Sequence, residues 1–341
     1  MKQRWTVTIT AAAAVLTALN LAVWFAGAAP GEVFRRLLDG TLGNAYGVGQ
    51  TLAKATPLVW TGGAVALALR AKLFNIGAEG QCLLGVLACA VVGAALPQGT
   101  PALVALPVAL LAAALGGAAP GALAGWLRGR FGTHEVISTL MLNGLIAVLT
   151  TWLYAGPLRV GAQVHTRLVA PGARLPTAHA LSSRLQGSAL NASFVLGVAA
   201  LLGVAWYLRE TRGGLAIRAR GASPGAAEAL GVDRARTTTR AMALSGALAG
   251  LGGTHFVLGA KGYAEQGLGA GVGFVGIAVA LLGAGRPWGI ALAAALFGML
   301  AQGALVVNAI VPGDVLNLAQ AATIVAVAAA TAALSGARRE A

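Results

Sequence analysis

The chain is poor in the residues that carry chemistry: its 341 residues include ten acidic side chains, four histidines and two cysteines. Cys82 and Cys89 fall two turns apart on the same face of one predicted helix, so they do not staple to each other. His134, His165, His179 and His255 are scattered without ligand spacing, and neither a metal site nor a cofactor is expected. Gln3, Ala55, Leu73 and Gly262 follow the four lysines, which excludes the Gly-Lys-Ser/Thr phosphate cradle of a P-loop ATPase. A zinc helix of the His-Glu-x-x-His type, a Gly-x-Ser-x-Gly elbow and a carboxylate cluster for acid–base work are missing too. The chain is not expected to be an enzyme.

Charge is scarce as well. Only 10% of residues are charged against 57% hydrophobic, and the mean hydropathy of +0.78 describes an integral membrane protein. A crossing needs about 20 apolar residues. Apolar runs between charged breaks predict ten transmembrane helices, at 7–25, 51–69, 77–96, 103–126, 136–154, 190–208, 241–258, 272–284, 288–307 and 315–334. The expected class is an all-α polytopic membrane protein. Its expected parts are an N-terminal anchor helix and outer connection (1–50), a transmembrane domain (51–335) and a cytoplasmic tail (336–341). Ala26, Gly27 and Ala28 resemble a signal cleavage site, but the apolar run before them is too long for one, so an anchor is expected.

The net charge of +14 is distributed by topology. With the loop 209–240 inside, alternation puts 16 of the 24 Lys and Arg on that side. The other eight (Arg35, Arg36, Lys54, Arg159, Arg167, Arg174, Arg184, Lys261) fall outside. This is the positive-inside bias, and it predicts both termini in the cytoplasm. The basic residues are therefore explained by lipid and topology, and no nucleic-acid partner is expected.

Seven arginines (Arg209, Arg212, Arg218, Arg220, Arg234, Arg236, Arg240) crowd into that inner loop. A helix is predicted inside it: Ser223 offers an N-cap hydroxyl, Pro224 a preset first-turn φ, and Gly231 the left-handed residue after the end. Such a short surface helix under a membrane bundle predicts docking of a partner. Ala226, Ala227 and Leu230 would supply apolar fit there, and Glu228, Arg220 and Arg234 polar contacts. Glycines at fourth positions, Gly117, Gly121 and Gly125 or Gly246 and Gly250, predict closely approaching helices.

A few polar residues enter the apolar runs. Asn75, Glu79 and Gln81 lie where Gly77 and Gly80 loosen the chain, the pattern of a broken helix lining a transport path. A carboxylate at mid-bilayer costs about 2.5 to 3.5 kcal/mol. Glu79 therefore either caps a helix start beside Arg70 or Lys72 or helps line the path. At the next polar entry Thr133 is the predicted cap, with Glu135 in the first turn and Thr139 and Asn143 on one face behind it. These side chains either bond neighbouring helices or touch a passing solute.

Four of these motifs taken together carry a family resemblance. Phe-Asn-Ile-Gly-Ala-Glu-Gly-Gln at 74–81, Gly-Thr-His-Glu-Val-Ile-Ser-Thr at 132–139, Arg-Ala-Arg-Gly-Ala-Ser-Pro-Gly-Ala-Ala at 218–227 with Gly231, and Gly-Phe-Val-Gly-Ile-Ala-Val-Ala-Leu-Leu-Gly at 273–283 resemble permease subunits of ATP-binding-cassette importers. The branch is similar to the nucleoside and simple-sugar importers fed by basic-membrane-protein lipoproteins, related to ribose and branched-chain amino-acid permeases. The resemblance spans about 51–334. It implies a ten-helix permease of two pseudo-symmetric halves (spans two to five and seven to ten) in a bacterial plasma membrane. It further implies pairing with a second permease, two cassette ATPase domains beneath, a solute-binding lipoprotein outside, and 223–231 as the coupling helix. Asn75, Glu79, Gln81, Glu135, Thr139 and Asn143, from the two polar entries, are the candidate pathway residues. His134, Gly144 and Cys82 depart from the family pattern and leave the cargo open.

The outer loop 155–189 carries Arg159, Arg167, Arg174 and Arg184 and no acid, which suits either docking of an acidic lipoprotein surface or a solvated loop. An ion-coupled secondary transporter is the alternative reading of the whole chain. It would work alone and need no docked inner helix.

Overall fold

The computed structural model describes residues 29–180, 182–308, 310–311 and 321–322, with Trp24 and Gly27. Most of the expected spans at 7–25 and 315–334, and the tail, lie outside the described residues. Within them the chain folds into α1 (Pro30–Thr41), α2 (Ala45–Arg70), α3 (Ala78–Ala95), α4 (Ala102–Phe131), α5 (Glu135–Ala155), α6 (Ser193–Glu210), α7 (Arg212–Ala222), α8 (Pro224–Ala229), α9 (Arg234–Gly252), α10 (Val272–Leu282) and α11 (Pro287–Val307). α9 continues into a wider π-helical stretch at His255–Lys261.

Among the described residues, seven helical segments are long and apolar enough to cross a membrane: α2 to α6, α9 with its extension, and α11. The expected crossing at 272–284 is instead the 11-residue α10, about 16 Å of helix against a hydrocarbon core of about 30 Å. The expected outer connection before residue 51 also differs, since it contains α1 and the first turns of α2. Asn44 opens α2 by accepting from Gly47 N at 2.7 Å.

α2 is the central mast. Nearly all of its middle is buried, because α6, α9, α10 and α11 surround it, and one core joins Val59, Val65, Val279 and Phe297. α4 and α9 form the tightest pair. A Cβ on Gly117 would strike the Gly246 carbonyl, and one on Gly250 the Ala113 carbonyl, so the fourth-position glycines do let two backbones touch. α4, α5 and α6 turn Leu111, Leu145 and Trp206 outward, as helices facing lipid or another subunit do.

The connection 156–192 is irregular but tied down. Ala170 N donates to Gly93 O, Val169 N to Gly262 O and Leu175 N to Leu258 O. Arg174 is committed in the same way, donating to Ala260 O at 2.7 Å.

Candidate functional site

Among the described residues three places gather polar groups: the break between α2 and α3, the short helices of the loop 209–240, and a cavity beside the π-helical stretch.

At the break, residues 71–77 leave helical geometry, with Lys72 at φ 54°. Six side chains from the two polar entries converge here, all buried. Asn75 and Gln81 exchange amide bonds of 2.8 and 3.1 Å. Asn75 also donates to Ser245 Oγ at 2.7 Å, and Ser245 donates on to Ala64 O at 2.6 Å. Asn143 accepts from Gly80 N at 2.9 Å and donates to Ile76 O at 3.0 Å. Thr139 turns back to Glu135 O at 2.7 Å. Glu135 accepts from Phe74 N at 3.4 Å and sits 3.1 Å from Arg128, an ion pair whose geometry is not that of a hydrogen bond. The N-cap position of α5 belongs to His134 and carries no side-chain cap, which corrects the expected Thr133 cap.

Glu79 caps a helix, though one far along the chain. Its two carboxylate oxygens accept from Gly271 N at 2.6 Å and Gly273 N at 2.8 Å, the first amides of α10. Free N–H groups and the positive end of the helix dipole make that terminus a carboxylate site. Gly273 is required for the approach, because a Cβ there would collide with the Glu79 backbone.

In the loop 209–240 the sequence-predicted helix is α8. Ser223 accepts from Ala226 N at 3.4 Å and Pro224 starts the first turn. Gly231, at φ 83°, closes a Schellman motif in which Gly231 N donates to Glu228 O and Val232 N to Ala227 O. A second helix, α7, precedes it; Thr211 opens α7 by accepting from Gly214 N. The buried Arg220 of α7 reaches Glu228 of α8 at 3.5 Å. Burial first, and Arg234 next, push the Arg220 pKa down, while Glu228 opposes the shift. Ala227 faces inward at 3% exposure, whereas Leu230 stands out at 83%. Ala226 and Arg234 are exposed too. Inward from here, Gly221 packs on the Arg70 carbonyl so closely that a Cβ would collide with it. Lys72 Nζ donates to Ala222 O at 3.3 Å. α7 thus rests directly on the break, and α8 is joined to it through Arg220.

The cavity, of about 1010 Å³, lies between α2, the π-helical stretch, the start of α10 and α11. Gln50 and Lys54, His255 and Phe256, Val272, and Gln302 are on its wall, and none of the six predicted pathway residues is. Lys54, His255 and Gln302 carried no motif or spacing that marked them in the sequence. Ser245, the hub between α2, α9 and the break, reads as one more small residue in a glycine-rich span.

The family model described as "Branched-chain amino acid transport system / permease component" matches residues 47–331. The nucleoside ABC transporter permease protein NupB of Lactococcus lactis subsp. cremoris is 33% identical over 298 residues, 85% of this chain and 81% of that protein. The guanosine ABC transporter permease protein NupP of Bacillus subtilis is 35% identical over 302 residues, 88% and 86% of the two chains. The glucose ABC transporter permease protein TsgB13 of Haloferax volcanii is 32% identical over 303 residues, 86% and 79%. No solved structure matches. A multi-pass helical bundle with a short capped surface helix, matched along most of its length by such proteins, belongs to the permease-component family of ABC transport systems.

Proposed function

We propose that this permease carries a nucleoside or similar small polar solute into the cell by alternating access, driven by ATP binding and hydrolysis in separate cassette ATPase subunits. It pairs with a second permease and receives solute from an extracytoplasmic lipoprotein. In this reading ten membrane-entering segments, the short α10 among them, form two pseudo-symmetric halves in a bacterial plasma membrane, with both termini in the cytoplasm. The cargo is proposed from the nucleoside and guanosine permeases to which the chain is similar.

The observation that carries this reading is α8. A six-residue helix capped at both ends, with Leu230 projecting and Arg220–Glu228 bracing it from behind, is a surface lever. Moving a two-state permease from 1:99 to 99:1 takes about 5.5 kcal/mol of differential binding, so the lever must transmit force. Its route inward is short: α8 to α7 through Arg220, α7 to the break through Lys72 and Gly221, and the break to α9, α5 and α10 through Asn75, Asn143 and Glu79. Here Asn75, Glu79, Gln81, Glu135, Thr139 and Asn143 keep the broken helix along the path in register, and the cavity is its outward vestibule.

Leu230→Asp is the direct test. The complete complex, reconstituted with lipoprotein and internal ATP, should lose ATP-driven nucleoside uptake by at least about tenfold, as one lost apolar contact in a dock allows, with permease insertion and thermal stability intact. Undiminished uptake would remove the lever. Arg159, Arg167 and Arg184 stay exposed while Arg174 is internally bound, which leaves three cations for docking an acidic lipoprotein surface. Reversing Arg159 and Arg167 should weaken lipoprotein affinity and flatten its salt dependence.

A further inference from the structure

The cavity wall is unusual in how its polar groups are left. Asn191 sits in the outer connection, and its amide orientation is fixed. Its oxygen accepts from Ser193 N at 3.1 Å, so its nitrogen is the atom facing His255 Nδ1 at 3.0 Å. A donor on that side makes Nδ1 an acceptor and puts the imidazole proton on Nε2. Nε2 has no protein partner among the described residues and is not sealed in, although the ring as a whole is buried and lines the cavity. The Gln302 amide, buried on the part of the wall that α11 supplies, is also without a protein partner among the described residues. Phe256 adds an aromatic face beside His255, the two rings edge to face at 5.2 Å. The charged residues on the wall are Lys54 and Lys261, with no carboxylate; Lys261 is paired with Glu265.

We propose that His255, locked in one tautomer by Asn191, presents an Nε2–H donor that selects acceptor-rich, non-cationic heterocyclic solutes in this cavity, with Gln302 reading a second polar edge and Phe256 stacking on the ring. The inference rests on the proposed import of a nucleoside-like solute and names the chemistry of its subsite. A ring with nitrogen and carbonyl acceptors fits a donor, an amide and an aromatic face. A cation meets Lys54 and finds no counter-charge. The π-helical stretch is the device that makes this possible, since the wider turn brings both His255 and Phe256 to the cavity wall.

The test is equilibrium binding of labelled guanosine to the assembled permease–ATPase complex without lipoprotein, alongside ATP-driven uptake by the full system. His255→Phe keeps a ring of similar bulk and removes the donor, and should weaken binding about tenfold, the worth of one buried hydrogen bond. His255→Gln restores an Nε2 donor at the same reach, with an oxygen for Asn191, and should stay within about threefold of the parent. 7-Methylguanosine, which loses a ring acceptor and gains a positive charge, should fail to compete. Equal loss in His255→Phe and His255→Gln, or unchanged binding in His255→Phe, would overturn the role of His255 while leaving nucleoside import standing. Binding and uptake both absent in the parent complex would overturn the import reading and this subsite together.

Discussion

The break between α2 and α3 and the cavity wall treat buried polar groups in opposite ways. At the break Asn75, Gln81, Asn143, Glu79 and Ser245 are each bonded to another part of the same chain, the exception being Glu135 Oε2, which faces Arg128 as an ion pair without a hydrogen bond. On the cavity wall His255 keeps one ring nitrogen free and Gln302 its whole amide. A satisfied network rigidifies what it joins, and an unsatisfied group costs stability that a ligand can return. Polarity inside an apolar bundle therefore marks two jobs, and the partner of each group tells them apart.

The strongest way to break this contrast is at Glu79. Glu79→Ala strips two amides of their acceptor at the start of α10 and should cost about 2 to 4 kcal/mol, read as a lower thermal-unfolding midpoint of the purified complex. Asn75→Leu should cost about 2 kcal/mol by orphaning Gln81 and Ser245. Adding Gln81→Leu should cost less than the sum of the singles, because the two amides serve each other. Arg220→Met touches a pair whose acid is half exposed, so stability should move by less than about 1 kcal/mol. Solute-stimulated ATP hydrolysis should nevertheless fall about fivefold, as loss of coupling predicts. Gln302→Leu should leave the unfolding midpoint within about 0.5 kcal/mol of the parent while weakening guanosine binding; a stability loss as large as that of Asn75→Leu would erase the distinction between the two regions.

What the sequence disclosed follows the range of the interactions. α8 was legible because Ser223, Pro224 and Gly231 act within one turn of themselves. The α4–α9 contact was legible in outline, since Gly117 and Gly246 announce closeness without naming each other. The break was legible from Gly77 and Gly80, and its polar residues were found, but not their partners. Glu79 seeks amides 192 residues away, and no local pattern encodes that distance. Thr133 is a good cap by type, but the backbone starts the helix one residue later, after His134, with no side-chain cap. The short α10 reads in sequence as a crossing because apolar content does not report helix length. The π-helical stretch, and with it the exposure of His255 to the cavity, depends on α9 overrunning Gly252 and Gly253 within a packed bundle, which leaves no trace in residue type.

The most direct measurement compares uptake of labelled guanosine by proteoliposomes containing this chain alone with uptake by proteoliposomes holding the second permease, the ATPase and lipoprotein, with internal ATP. A gate worked from outside itself predicts uptake only in the complete system and only while ATP is hydrolysed. Accumulation by the chain alone under an ion gradient would contradict it and identify a self-sufficient secondary transporter.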